Sequence, residues 1–166
     1  MGQGSCRRDS QVDRGQVQVL TVLARLIRVN RASARPPLVE KKRSGECGVA
    51  ALATLANHYS WPVSYREIAK LVGAGPEGTS LLELARAAQS LGFTTQGLKG
   101  TYDAIADVSL PAIAHLRIRN GDGHFVVLQR WNPRAVVVAD PTRGIRTLRR
   151  ERFSKRWTGY LLTVSP

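Results

Sequence analysis

The chain has 166 residues, of which 43% are hydrophobic, 22% charged and 6% aromatic. That length suits one domain with its own core, and two cysteines are too few to hold a small secreted fold together. No apolar run reaches the ~20 residues of a membrane-spanning helix. The excess of 25 Lys and Arg over 12 Asp and Glu gives a net charge of +13, which favours acidic partners such as nucleic acid or anionic lipid.

The basic residues are concentrated in two segments. Residues 1–43 hold ten basic and three acidic side chains, and seven more cations lie between positions 143 and 156. We expect residues 1–35 to form a basic arm, disordered or partly helical, in front of a folded domain at 36–166. Within the arm, residues 16–29 are predicted to form a short basic amphipathic helix that lies on a membrane surface. The alternative is a helix packed on the domain or a flexible extension.

Three helices are predicted in the first half of the domain: CGVAALATLANHY, YREIAKLV and LLELARAAQSL. The first is apolar on nearly every side, which is typical of a buried helix. The second follows Ser64, a residue suited to capping a helix. The third follows a capping box formed by Ser80 and Glu83, which satisfies the free amides of its first turn.

Six strands are predicted in the second half: FTTQGL, PAIAHLRI, HFVVLQRW, AVVVAD, GIRTL and GYLLTV. These segments are short, rich in β-branched or aromatic residues, and separated by Gly, Pro or Asn. Because the helices come first and the strands follow, the order favours an α+β fold with an antiparallel sheet over a parallel α/β fold.

A hairpin between HFVVLQRW and AVVVAD carries two chemistry-bearing residues. A register symmetric about Asn132 places His124 directly opposite Asp140, with their Cβ atoms ~5 Å apart. An aspartate at that distance fixes the tautomer of the imidazole and stabilises its charged form. Taken alone, the pattern is also compatible with a histidine that merely begins a strand and an aspartate that merely opens a turn.

Cys47 is the candidate nucleophile. In GECGVAAL it stands where a glycine-containing loop meets the N-terminus of a buried helix, and free amides and the helix dipole there favour a thiolate. We expect Gly48 to let a substrate backbone approach, and the Cys47 amide to be available to an oxyanion. The alternative is a small apolar core residue, as most lone cysteines in helices are. Cys6 lies in the arm and is assigned no role.

The other two histidines are weaker candidates. His58 falls near the end of the first helix, where a surface or helix-end role is expected, and His115 lies within a strand and is expected to pack or hydrogen-bond there. A metal site built from Cys47, His115, His124 and Asp140 has no CxxC or HxxxH spacing to support it. We therefore expect neither a metal nor a cofactor.

Six separated motifs resemble, in order and spacing, the bacteriocin-processing cysteine peptidases: ECGxAAL, GTSLLELARAAQSLGF, LPAIAHL, HFVVL, VVVADPTRG and F…WTGYLL. These papain-like domains cut leader peptides after a double glycine, usually at the N-terminus of bacteriocin-exporting ABC transporters. The resemblance covers residues 36–164 and implies an α+β fold in which the helix bearing the cysteine packs on the sheet bearing His and Asp. It also implies that Cys47 is the nucleophile, His124 the general base and acid, and Asp140 the residue orienting His124.

The sequence departs from the family at one position of the site. The family normally has a Gln six residues before the cysteine, whose amide helps to form the oxyanion hole, and Lys41 stands there instead. An ammonium also stabilises an oxyanion, although its long hydrated stem holds a charge less rigidly than an amide. Lys41 and the amide of Cys47 are thus the candidate oxyanion donors, and the intact Cys, His and Asp set favours activity.

The resemblance implies a cytoplasmic cysteine endopeptidase that removes leader peptides from ribosomally made secreted peptides. Because the chain ends at Pro166 without a membrane domain or an ATPase, we expect it to act alone or docked on a separate ABC exporter at the inner face of the membrane. The alternative is a peptidase-like module that binds leader peptides without cutting, which Lys41 supports. A nucleic-acid-binding protein is the third reading, but no aromatic series interleaves with the late arginines, and we expect no specific nucleic-acid partner.

Overall fold

In the computed structural model the described part of the chain comprises residues 38–73, 75, 78–118 and 122–166, together with the backbone of residues 17–19. Its helices are α1 (Cys47–His58), α2 (Tyr65–Val72), α3 (Leu81–Ser90), a 3-10 helix (Asp103–Asp107) and α4 (Arg150–Ser154). Its strands are β1 (Val17–Val19), β2 (Thr94–Lys99), β3 (Ala112–Arg117), β4 (Gly123–Trp131), β5 (Ala135–Asp140), β6 (Gly144–Arg149) and β7 (Trp157–Ser165).

Local capping chemistry explains where the second and third helices begin. The Ser64 hydroxyl accepts the Glu67 amide at 3.2 Å, and the Glu67 carboxylate accepts the Ser64 amide at 2.8 Å. The same reciprocal pair joins Ser80 and Glu83, at 3.2 and 2.7 Å. Both starts predicted from the sequence are confirmed, because a capping box satisfies orphan amides within four residues and needs no distant partner.

The strands form one sheet in the order β1-β2-β7-β3-β4-β5-β6. Every pairing is antiparallel except that of β1 with β2, which confirms the predicted α+β class and the six predicted strands. The helix predicted over residues 16–29 is wrong at residues 17–19, which form a strand. The alternation in QVQV has the period of two that suits a strand. Residues 20–29, and most of the arm predicted at 1–35, lie outside the described residues.

The sheet is covered on both faces. Helices α1, α2 and α3 pack on one face against side chains that include Phe125 and Val127. The 3-10 helix and α4 cover the opposite face, where Val126, Val138 and Phe153 belong to a second apolar cluster. Strand β4 is therefore buried on both sides, which explains its unbroken apolar run.

Gly48 is required by the packing of α1. A Cβ built at this position would lie 2.4 Å from Thr79 Cγ2 and 3.1 Å from Leu84 Cδ1, and the residue is buried. Its missing side chain thus admits the neighbouring segment at the start of α3. The expectation that Gly48 opens space for a substrate backbone is not what the structure shows.

Candidate active site

The β4–β5 hairpin brings His124 and Asp140 together through a register different from the predicted one. The ladder pairs Val127 with Ala139, whereas symmetry about the turn predicts Val137 as its partner. Beside the turn, Trp131 pairs with Val136, three residues beyond its predicted partner, and an irregularity between Leu128 and Arg130 reduces this offset to two residues. Since side chains alternate with a period of two, the offset leaves His124 and Asp140 on one face. They lie diagonally rather than directly opposite each other, and the predicted contact is still made.

The carboxylate of Asp140 is held by three hydrogen bonds on one oxygen. His124 Nε2 lies 2.9 Å from Asp140 Oδ1, and the same oxygen accepts the Thr142 amide at 2.9 Å and the Thr142 hydroxyl at 2.6 Å. Burial acts to raise the pKa of Asp140, but the hydrogen bond and charge of His124, together with the two bonds from Thr142, lower it to about 2. Asp140 therefore remains an anion beside the imidazole.

Thr142 is a site residue that the sequence did not single out. The segment DPT could have indicated its contact with Asp140, because an Asp side chain often accepts a hydrogen bond from the backbone two residues further on. The bonds that it donates fix the carboxylate rotamer, and His124 Nε2 is held by that carboxylate. Nδ1 is then the ring nitrogen of His124 that does not face the carboxylate.

Cys47 is the first residue of α1 and is 4% exposed. The residue before it, Glu46, makes no side-chain hydrogen bond to the first turn of the helix, so the helix N-terminus keeps its attraction for a negative charge. The sulfur of Cys47 is in a disulfide bond in this structure. The chain has two cysteines, and the other, Cys6, lies outside the described residues. The thiolate expected from the sequence consequently forms only after this disulfide is reduced.

Tyr65, at the start of α2, anchors the loop that leads to Cys47. Its hydroxyl donates to Glu46 Oε2 at 2.9 Å and accepts the Lys42 amide at 3.3 Å, and Lys42 Nζ lies 4.9 Å from the centre of its ring. Burial raises the pKa of Tyr65 to about 12, with the Glu46 carboxylate adding to the rise and the Lys42 amide opposing it. Tyr65 therefore keeps its proton, and nothing in the sequence singled it out.

Lys41 lies in the same loop, and its backbone contacts the residue that follows β5. Its amide donates to the Pro141 carbonyl at 3.2 Å, which ties the backbone before Cys47 to the residue that follows Asp140. Its half-buried side chain lines a groove shared with Cys47, His124 and Asp140. The four residues singled out in the sequence as candidate catalytic and oxyanion residues thus meet on one surface.

The groove continues beyond these four residues over the sheet face that α4 covers. Its volume is about 440 Å³. Its apolar lining comes from strands β3 to β6 and from α4, with Leu116, Val126, Val138, Leu148 and Phe153 as members. Four arginines complete it: Arg143, Arg146, Arg152 and Arg156.

The remaining histidines lie away from this groove. His58 ends α1 and stacks edge-on to Tyr59 at 4.8 Å, as expected of a helix-end residue. His115 is buried on the sheet face that α1, α2 and α3 cover, with its ring 5.1 Å from Phe125 and its Nδ1 3.1 Å from the hydroxyl of Thr158.

Among the described residues, no three His, Cys, Asp or Glu side chains are grouped to hold a metal ion. Those residues also include no helix with the length and apolarity to span a membrane.

Residues 35–166 match the model of the Peptidase C39 family. The chain belongs to the Peptidase C39 family. The resemblance found in the sequence is thereby confirmed, and this C39 chain is a cysteine peptidase by family. Its fold matches a double glycine motif protease from an AMS/PCAT transporter, solved in complex with the leader peptide, with a TM-score of 0.73 and 25% identity. The match covers 81% of this chain and 96% of that structure, and it confirms the predicted papain-like fold.

Two curated relatives are longer than the segment that each shares with this C39 chain. The probable functional amyloid protease FapD of Pseudomonas aeruginosa is 36% identical over 135 residues, which cover 76% of this chain and 59% of FapD. The lactococcin-G-processing and transport ATP-binding protein LagD of Lactococcus lactis is 29% identical over 131 residues, which cover 78% of this chain and 19% of LagD. The match thus spans less than two thirds of either relative.

Proposed function

We propose that this C39 peptidase is an endopeptidase that cuts leader peptides, after a Gly-Gly pair, from ribosomally made secreted peptides. One observation carries the assignment of the site: the hydrogen-bonded His124–Asp140 pair lines the same groove as Cys47 at the N-terminus of α1. A base held by an anion beside a nucleophile is the arrangement that nucleophilic acyl transfer requires. The solved neighbour bound to a leader peptide supports the substrate class.

The reaction proceeds in two steps. His124 Nδ1 takes the proton of the reduced Cys47 thiol, and the thiolate attacks the carbonyl carbon of the scissile bond. The tetrahedral intermediate collapses, the peptide C–N bond breaks, and His124 gives the proton to the leaving amine. A water molecule, deprotonated by His124, then hydrolyses the thioester and returns the thiol. Asp140 keeps Nε2 protonated and stabilises the imidazolium that forms.

Two groups are proposed to stabilise the oxyanion: the Lys41 ammonium and the amide of Cys47. Donors aimed at the developing charge act strongly where water is excluded. Lys41 also supports the second candidate function, a catalytically weak or inactive module that binds leader peptides for an exporter. Intact Cys47, His124 and Asp140 favour the enzyme.

The relatives support a proposal for the partner and the place of action. LagD is named as both a processing and a transport protein, and we propose that this chain works in the cytoplasm beside an ABC exporter. We also propose the domain boundary given by the sequence, an arm at 1–35 and a peptidase domain at 36–166, and the excess of basic side chains in the arm supports a contact with the inner face of the membrane. Vesicle flotation of the full chain, compared with a chain beginning at residue 36, measures that contact.

Mass spectrometry of a synthetic precursor tests the activity. The full chain, reduced with dithiothreitol, is incubated with a peptide in which a leader ending in Gly-Gly precedes a short tail. Cleavage after Gly-Gly is expected for the unmodified chain and for the matched cysteine variant Cys6→Ser, and none for Cys47→Ser or His124→Ala. Cleavage by Cys47→Ser contradicts the nucleophile, and binding without cleavage by the unmodified chain indicates the leader-binding module.

A further inference from the structure

Thr142 shares the Asp140 carboxylate with His124. Its hydroxyl donates to Asp140 Oδ1 at 2.6 Å and its amide donates to the same oxygen at 2.9 Å, beside the 2.9 Å contact of His124 Nε2. Asp140 is 8% exposed, and among the described residues only His124 and Thr142 donate hydrogen bonds to its carboxylate. The orientation of this carboxylate therefore depends on Thr142.

The backbone around Thr142 is held in a tight turn. The Arg143 amide donates to the Asp140 carbonyl at 3.1 Å, which closes a β-turn that contains Thr142. Pro141 stands at the second position of this turn, where the fixed φ of proline is favourable. Its carbonyl accepts the Lys41 amide at 3.2 Å, so the loop that precedes α1 is joined to the same turn. Thr142 thus donates to the carboxylate from a fixed backbone position.

The hydroxyl of Thr142 also affects the tautomer of His124. A neutral imidazole carries its single proton on either ring nitrogen, and the neighbours of the two nitrogens decide which one. The Thr142 hydroxyl lies 3.5 Å from His124 Nε2, and its one hydrogen is accepted by Asp140 Oδ1. It therefore presents only lone pairs to Nε2 and cannot donate to an unprotonated Nε2. Both neighbours of Nε2 favour the tautomer in which this nitrogen carries the proton.

We propose that Thr142 is a positioning residue: its hydroxyl orients the Asp140 carboxylate so that His124 keeps its proton on Nε2 and accepts another on Nδ1. The inference rests on the proposed function, in which Nδ1 takes the proton of Cys47. In Thr142→Val a methyl group of the same shape replaces the hydroxyl, and the carboxylate keeps the amide of residue 142 but loses its shortest hydrogen bond. The carboxylate then rotates more freely, and the tautomer with the proton on Nδ1 becomes populated.

Nuclear magnetic resonance measures the tautomer directly. Two-bond proton–nitrogen correlation spectra distinguish protonated from unprotonated ring nitrogens. They are recorded on the full-length Cys47→Ser chain at about pH 9, above the usual titration range of imidazoles. The signals of His124 are those that disappear when His124→Ala is added. We expect a single tautomer, protonated on Nε2, in Cys47→Ser, and a mixture of both tautomers when Thr142→Val is added.

Turnover of the reduced full-length chain gives a second measurement. Thr142→Val should lower kcat for a Gly-Gly precursor about tenfold to a hundredfold and change KM less than about threefold, because a misoriented base slows proton transfer and leaves binding intact. Thr142→Ser keeps the hydroxyl and should recover most of that loss. Thr147→Val is the matched control, since Thr147 lies on β6 with an exposed side chain outside the groove, and its turnover should equal that of the unmodified chain.

The two measurements separate the positioning role from the activity. An unchanged tautomer or an unchanged kcat in Thr142→Val overturns the inference, and so does a loss that lies in KM, because Thr142 would then contact the substrate. A Thr142→Ser chain as slow as Thr142→Val overturns it as well, since the hydroxyl would make no difference. Absence of cleavage by the unmodified chain counts against the proposed function alone, and a tautomer mixture in Thr142→Val still supports the inference in that case.

Discussion

At the scale of single residues, the stability of the site in acid depends on Asp140. The folded-state pKa of about 2 lies below the ordinary value of 3.8, so the ionised carboxylate stabilises the fold above about pH 4. That contribution, about 2 kcal/mol, is lost as the pH falls from about 4 through 2. As the pH falls from about 4 to 2, the free energy of unfolding of Asp140→Asn should therefore decrease less than that of the unmodified chain. Urea denaturation of both chains at several pH values measures this difference.

An exposed aspartate provides the control for that prediction. Asp107 ends the 3-10 helix and is exposed, and its side chain forms no hydrogen bond with a described residue. Asp107→Asn should leave the acid sensitivity of the chain unchanged. Equal effects of Asp107→Asn and Asp140→Asn would mean that general charge repulsion, rather than the hydrogen bonds of Asp140, sets the response.

Lys41 gives a prediction on turnover. If the ammonium positions charge less well than an amide, Lys41→Gln should raise kcat about tenfold, since an oxyanion donor is typically worth ~10²–10³ in turnover. The Lys41 amide keeps its bond to Pro141 in this variant, because only the side chain changes. Lys42→Gln is the control, as Lys42 lies over the Tyr65 ring and not in the groove. An unchanged or lower kcat for Lys41→Gln shows that the lysine is already an adequate donor.

At the scale of elements, α1 depends on close packing at Gly48. Gly48→Ala should lower the free energy of unfolding by about 1–3 kcal/mol, because the new Cβ would lie 2.4 Å from Thr79 Cγ2. Thr79→Ser removes that methyl group and keeps the hydroxyl that donates to Glu83. Urea unfolding of the two single variants and the double variant forms a cycle. Strict additivity in that cycle contradicts the proposed clash.

The loop between Leu38 and Glu46 depends on α2 for its position. Tyr65→Phe removes the bond to the Glu46 carboxylate and should cost about 1–2 kcal/mol of stability. It should also lower kcat more than it changes KM, because the loop holds Lys41 and leads into Cys47. Tyr59→Phe is the control, since the Tyr59 hydroxyl has no partner among the described residues. Equal losses of kcat in the two variants would assign the effect to general loosening.

The elements that the sequence predicted are those with local causes. The starts of α2 and α3 are fixed by Ser64 and Ser80, whose bonds are made within four residues. α4 was missed, since it has five residues and its N-cap, Arg149, makes no side-chain bond. The predicted β4–β5 register is wrong because the turn is centred after Pro133 instead of on Asn132, and because an irregularity between Leu128 and Arg130 shifts the pairing by one further residue.

At the scale of the whole molecule, net charge indicates little about function unless the positions of the charged side chains in the fold are known. The sequence shows seven cations between positions 143 and 156, and the topology gathers four of these residues in the groove of the candidate site. Neighbours from β3, β4, β5, β6 and α4 meet there only because the strands pair in the observed order. Sequence spacing alone shows neither that convergence nor the bond between Lys41 and Pro141, which are 100 positions apart in the chain.

The redox state of the chain should decide whether the enzyme is active. Cys47 is in a disulfide, and a disulfide sulfur cannot attack a carbonyl, so the oxidised chain should show no cleavage. Dithiothreitol, which reduces the bond by thiol exchange and is itself oxidised, should restore cleavage. Rates of the unmodified chain, measured with and without dithiothreitol, test this. Cleavage by the oxidised chain at the rate of the reduced chain contradicts control of the enzyme by the disulfide of Cys47.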